Sequence, residues 1–144
     1  MIRSVMFTIA MLFGSGLGAS AATLYVDASG VQIGAGTVFA GVCVGGLDEQ
    51  SCQFGETIPA RMAAIRFTFP ELLPGTYAIA VFQDLNGNGR LDRTPLGLPL
   101  EPYGFSNEAG RHRRPTFAGA SIKVGDQDLH IAVRLTVIPQ ARQP

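Results

Sequence analysis

The amino-acid sequence predicts an all-β fold, an antiparallel β-sandwich that carries one long ordered loop. Three observations predict it. Apolar residues recur at every second position in one segment after another, helical spacing is scarce, and turn-forming residues separate the segments at short intervals. Eighteen glycines and nine prolines in 144 residues are enough to supply those turns.

The segments run as follows. Thr23 to Val26 and Thr37 to Val44 read as the first strands, each closed by a turn signal, Ser29-Gly30 and Gly45-Gly46. Ala64 to Phe69 alternates, with Ile65, Phe67 and Phe69 on one face. Thr76 to Phe82 carries Tyr77, Ile79 and Val81 on one face and small Ala78 and Ala80 on the other, so a second layer is able to cover it on both sides. Pro74-Gly75 marks the turn ahead of Thr76, and Ser121 to Val124 reads as a short strand followed by the turn signal Gly125-Asp126. The last strand is the clearest: Leu129, Ile131, Val133 and Leu135 alternate with His130, Ala132, Arg134 and Thr136. Neither a repeat nor a linker divides this region, whose core spans 23–136.

Ahead of the strands stands an address. Arg3 precedes an apolar run from Val5 to Leu17, and Ala19-Ser20-Ala21 offers the small side chains that signal peptidase accepts. Residues 1–21 are therefore expected to be a signal peptide cut after Ala21, leaving 22–144 as a single exported domain, periplasmic or secreted. The apolar run is short for a retained anchor, and no later segment is long and apolar enough to cross a membrane. Eleven basic residues balance eleven acidic ones, which excludes the strong basic bias of a nucleic-acid binder. Cys43 and Cys52 are the two cysteines, and in an oxidising compartment such a pair is expected to form a disulfide.

Residues 84–117 differ from the rest: long, rich in Gly, Asn and Pro, and nearly without strand signal. Their apolar side chains, Leu96, Leu98, Tyr103 and Phe105, predict an ordered loop packed on the sandwich rather than a free one.

The stretch Asp84-Leu-Asn-Gly-Asn-Gly-Arg-Leu-Asp92 carries the most chemistry. Asp84, Asn86 and Asn88 place oxygens at alternate positions, Gly89 permits a sharp turn, the Arg90 carbonyl follows, and Asp92 closes the set. A hard cation such as calcium requires six to eight such oxygens, and this is the spacing of the first part of an EF-hand-type loop. The twelfth position is Pro95, so the usual bidentate glutamate is missing, and Glu101 is the candidate to fold back in its place. Few carboxylates imply weak calcium binding. The other reading is a bare hairpin turn, since Asn-Gly occurs here twice.

Arg111, His112, Arg113 and Arg114 form a compact basic cluster, either solvated loop surface or a dock for an anionic partner such as an envelope surface, a lipid head group or a glycan phosphate. His130 is expected on an outward strand face. Motifs for a serine hydrolase, a zinc protease or a phosphate loop are absent from the sequence. The expected function is a non-catalytic binding or structural module. The alternative is a small secreted enzyme using Asp84, Asp92 or Glu101 as acid and base.

Three stretches together resemble a known family: Leu73-Pro-Gly-Thr-Tyr-Ala-Ile-Ala-Val-Phe82 running into the Asp84–Asp92 loop, Leu96-Gly-Leu-Pro-Leu-Glu-Pro-Tyr-Gly-Phe-Ser-Asn107, and Pro115-Thr-Phe117. The family is DUF2141, exported bacterial domains of unknown function, and the likeness is specific over residues 72 to 135. A looser similarity links the strand and acidic loop to immunoglobulin-like and carboxypeptidase-regulatory-like sandwiches of the Cna-B and transthyretin type. The resemblance implies a secreted β-sandwich with the 84–92 loop and the segment Tyr103, Gly104, Phe105, Ser106 and Asn107 as its hallmarks. It implies no established activity.

Overall fold

In β1 (Ala22–Ser29), Ala22, Leu24, Val26 and Ala28 are buried while the residues between them are half-exposed, so the strand shows one face to a core. A computed structural model describes Gly18 and residues 20–139. The apolar run expected to act as a signal, Val5 to Leu17, lies outside the described residues.

β1 is the centre of a three-stranded sheet, flanked by β4 (Ala64–Leu72) and β8 (Leu129–Arg134). A second sheet runs β3 (Cys52–Pro59), β2 (Thr37–Cys43), β5 (Gly75–Asp84) and β6 (Tyr103–Phe105), with β7 (Ile122–Val124) paired to the start of β5. The two sheets enclose Leu24, Val26, Val38, Phe67, Ile79, Val81 and Val133, all at most 1% exposed. Burying a side chain such as Phe67 contributes about 1.5–3 kcal/mol, and these residues dominate the hydrophobic stabilisation. The fold is an all-β sandwich, as the periodicity predicts.

Three details depart from the expectation. The sheets are not purely antiparallel, because β8 pairs with β1 in parallel, Leu24 opposite Leu129 through Ser29 opposite Arg134. A parallel neighbour requires a long crossover, and here the whole second sheet lies between the two strands. β3 shows no alternation in the sequence because it is an edge strand, exposed at most positions, held by β2 alone. β6 is buried at all three residues and too short to display any period.

The second sheet is also covered outside. Ala78, Ala80 and Phe82 of β5 join Cys43, Cys52, Tyr103, Phe105 and Ala120 in a separate cluster on its outer face. The expectation that β5 is covered on both sides holds, and the long loop forms the cover. The loop is tied down by the strand-like pair Tyr103 and Thr136, whose amides and carbonyls bond at 3.0 and 2.9 Å. At Gly104 a Cβ would stand 2.4 Å from the Arg134 carbonyl oxygen, so only glycine lets β6 cross β8 this closely.

Cys43 and Cys52 face each other across the β2–β3 pair and are disulfide-bonded, with Cα atoms 3.9 Å apart. Closing so short a loop is expected to stabilise the fold by roughly 2.5–3 kcal/mol. Chemical denaturation with and without reductant measures this, and a difference near zero would show that the β2–β3 hairpin holds itself together. Among the described residues, no helix is long and apolar enough to cross a membrane.

Candidate functional site

Asp84 is the last residue of β5 and only 2% exposed. Its carboxylate takes up the main-chain amides of the loop that follows: Oδ1 accepts from Gly87 at 2.7 Å and Asn88 at 3.3 Å, and Oδ2 accepts from Gly89 at 2.7 Å. The chain curls around this acid because both glycines have φ +77°, a region that residues with a Cβ rarely adopt. Asn86 Oδ1 accepts from the Asn88 amide and Asn88 Oδ1 from the Arg90 amide, each at 3.1 Å, two successive local turns.

The amide nitrogens of the same two side chains converge on Asp92. Asn86 Nδ2 donates to Oδ2 at 2.5 Å and Asn88 Nδ2 to both oxygens at 2.9 Å. These donors, Asn88 first and then Asn86, hold the Asp92 carboxyl below the usual carboxylate range; Arg90, 3.6 Å away, adds to them against the opposing cost of burial. Glu101, 5% exposed, does fold back, with Oε1 accepting from the Leu85 amide at 2.8 Å and Oε2 from the Asp92 amide at 3.1 Å. It clasps both ends of the loop. Asn86, Asn88 and Asp92 are thus brought together, whereas Asp84 and Glu101 are occupied by main-chain amides. Among the described residues, no group of three or more His, Cys, Asp or Glu stands close enough to hold a metal ion.

Beyond Asp92 the chain forms a small hairpin that sequence reading missed. Arg93 pairs with Pro99, the Thr94 amide donates to Leu98 O and the Leu100 amide to Asp92 O, both at 2.8 Å. Thr94-Pro95-Leu96-Gly97, with Gly97 at φ +81° and its amide on Thr94 O, makes the tip. Proline second and glycine fourth in a four-residue stretch was the available signal. The expectation that Leu96 and Leu98 pack on the sandwich is corrected: they are 86% and 45% exposed, because the hairpin stands away from the sheet on the buried Pro99.

Tyr103 and Phe105 are buried as expected, ring edge against ring face with centroids 6.0 Å apart. Ser106 is buried too, its Oγ accepting from the Ile79 amide at 2.9 Å and donating to Ala120 O. Asn107 is exposed but ties the loop to Ser121 O at 2.8 Å. These two residues fasten the loop and the short helix α1 (Phe117–Ala120) to β5. His130 lies on the outward face and stacks on Tyr25 at 4.5 Å.

Above this cover lies an open cleft of about 1220 Å³. It is bounded by the Leu47–Gln50 turn beside the disulfide, the Arg93–Pro99 hairpin, the Gly110–Pro115 segment and Thr136–Pro139, with Tyr103, Phe105 and Ile138 contributing apolar surface. Arg93, Arg111, Arg113 and Arg114 line it together with His112, against the two acids Asp48 and Glu49. Arg111 is paired with Glu108, while Arg113 and Arg114 make no ion pair among the described residues. None of Asp84, Asp92 and Glu101 is among the residues lining this cleft.

The model of a family described as an uncharacterized protein conserved in bacteria (DUF2141) matches residues 26–132. No curated protein and no solved structure matches the chain.

Proposed function

Starting from the fact that the chain belongs to the DUF2141 family, whose description assigns no activity, we propose that it is an exported, non-catalytic binding module that holds an anionic partner in the arginine-lined cleft. One observation carries the reading: four arginines from two separate loops line one cleft over an apolar floor. Charged groups converging on a concave apolar surface are what recognition of a charged ligand requires. The non-catalytic part is supported by the state of the carboxylates. The oxygens of Asp84 and Glu101 are taken by main-chain amides, so neither is free to move a substrate proton.

Titration calorimetry with inorganic phosphate and with a sulfated oligosaccharide tests this. Binding is expected to weaken as salt rises, and the double change Arg113→Glu and Arg114→Glu is expected to weaken it by roughly tenfold, about 1.4 kcal/mol. Binding that is absent, or equal in wild type and variant, removes the cleft from the proposal.

Calcium is a second proposal, supported by the convergence of Asn86 and Asn88 on Asp92. Turning both side-chain amides end for end, which gives up their bonds from the Asn88 and Arg90 amides, would present their oxygens beside the Asp92 carboxylate, with the Arg90 carbonyl as a main-chain ligand. With Asp92 as its one carboxylate ligand, this would be a millimolar site. At roughly ten times Kd the gain is about 1.4 kcal/mol, seen as a higher melting temperature that chelator reverses and Asp92→Ala abolishes. Melting indifferent to calcium leaves the segment a hydrogen-bonded turn.

Export is supported by the disulfide. The intact mass of the protein recovered from outside the cytoplasm should correspond to a chain starting at Ala22 with no free thiol. A full-length mass, or two thiols, would count against export.

A further inference from the structure

The hairpin from Arg93 to Pro99 holds out its apolar side chains instead of burying them. Leu96 at its tip is 86% exposed, and Leu98 and Leu100 are 45% and 44% exposed. The tip is not slack. Thr94 closes it three times, its amide donating to Leu98 O, its carbonyl accepting from Gly97 and its Oγ1 accepting from Leu98. Arg93 Nη1 braces it from the side on Gly97 O. A leucine on a braced turn loses little freedom when it is covered, so its exposure is a feature prepared for contact. Solvent-facing tips are ordinarily polar, and grouped apolar exposure marks an interaction surface.

What surrounds the tip decides the partner. Arg93 starts the hairpin, and Arg93, Gly97, Leu98 and Pro99 line the same cleft as Arg111, Arg113 and Arg114. Leucines beside a row of arginines match the boundary between acyl chains and anionic head groups, where apolar burial and charge attraction act together. We propose that this face docks on an anionic bilayer surface, with Leu96 and Leu98 entering the head-group boundary and Arg93, Arg113 and Arg114 meeting the lipid phosphates. The inference rests on the reading of the arginine-lined cleft as an anion site and names its partner.

Co-sedimentation with vesicles of phosphatidylcholine alone, and of phosphatidylcholine mixed with phosphatidylglycerol, tests the proposal beside calorimetry with inorganic phosphate. Wild-type protein is expected to sediment with the anionic vesicles only. Leu96→Ser, at a residue outside the lining of the cleft, should lower partitioning by about tenfold while phosphate binding is unchanged. Arg113→Gln with Arg114→Gln should lower partitioning about fivefold per arginine and lower phosphate binding too. Leu96 is solvent-exposed, and an unchanged melting temperature confirms that the fold is intact. Phosphate binding without vesicle binding overturns the membrane proposal and leaves the anion site standing; loss of both overturns the two together. Self-association by sedimentation velocity that Leu96→Ser abolishes, without vesicle binding, would assign the tip to a second copy and overturn the proposal.

Discussion

Phe105→Ala is expected to lower the free energy of unfolding by about 3–5 kcal/mol, a large fraction of what holds a domain of this size together. Phe105 sits in β6 opposite Ala80, is 7% exposed, and stacks edge-on against Tyr103. Its cluster on the outer face of the second sheet sets small Ala78, Ala80 and Ala120 beside the rings of Phe82 and Tyr103. The alanines have no side-chain length with which to refill the space, and the two rings are held by their own packing, so a cavity remains and adds to the lost transfer energy. Urea denaturation measures the loss. A value below about 1 kcal/mol would mean that the loop lies over the sheet without contributing to its stability, and the floor of the cleft would then not be a fixed surface.

Asp84→Ala is expected to cost about 2–4 kcal/mol in the presence of chelator, so that no cation contributes. The carboxylate is 2% exposed and satisfies the amides of Gly87, Asn88 and Gly89. Removing it leaves amide donors at the buried end of β5 without an acceptor, and hydrogen bonds to charged groups are worth about 1.5–3 kcal/mol each. The loss falls short of a plain sum because a loosened loop admits water to some of those amides. Asp84→Asn keeps one acceptor oxygen and is expected to lose about half as much. The two roles of this residue separate cleanly. A loss seen only with calcium, and erased by chelator, would make Asp84 a metal ligand and not the organiser of the loop.

The 84–92 loop was legible because its chemistry is local. Asn-Gly-Asn-Gly forces successive turns, and an acid at the end of a strand finds the amides those turns expose. Even so, spacing alone left open whether the oxygens of Asp84 and Asp92 face one another or face the backbone. That choice depends on hydrogen bonds made across the loop, among them those of Glu101, nine and sixteen residues away from its two partners. The basic cluster was visible as a run of residues. Its place in one cleft with Arg93 and the Leu47–Gln50 turn was not, since these segments meet only through the second sheet.

By itself the sequence determined the strands that have one buried face, the pairing of the two cysteines, and the burial of Tyr103 and Phe105. Each follows from side-chain period or from residue chemistry acting over a few positions. Tertiary structure alone decided that β8 lies parallel to β1, that the exposed segment Cys52–Pro59 is a strand, and that Leu96 stands in solvent. β3 carries no apolar period because an edge strand needs none; its register comes from its partner β2. Leu96 looks like a core residue in the sequence because hydrophobicity says that a side chain gains from being covered, but only the fold says whether anything is within reach to cover it.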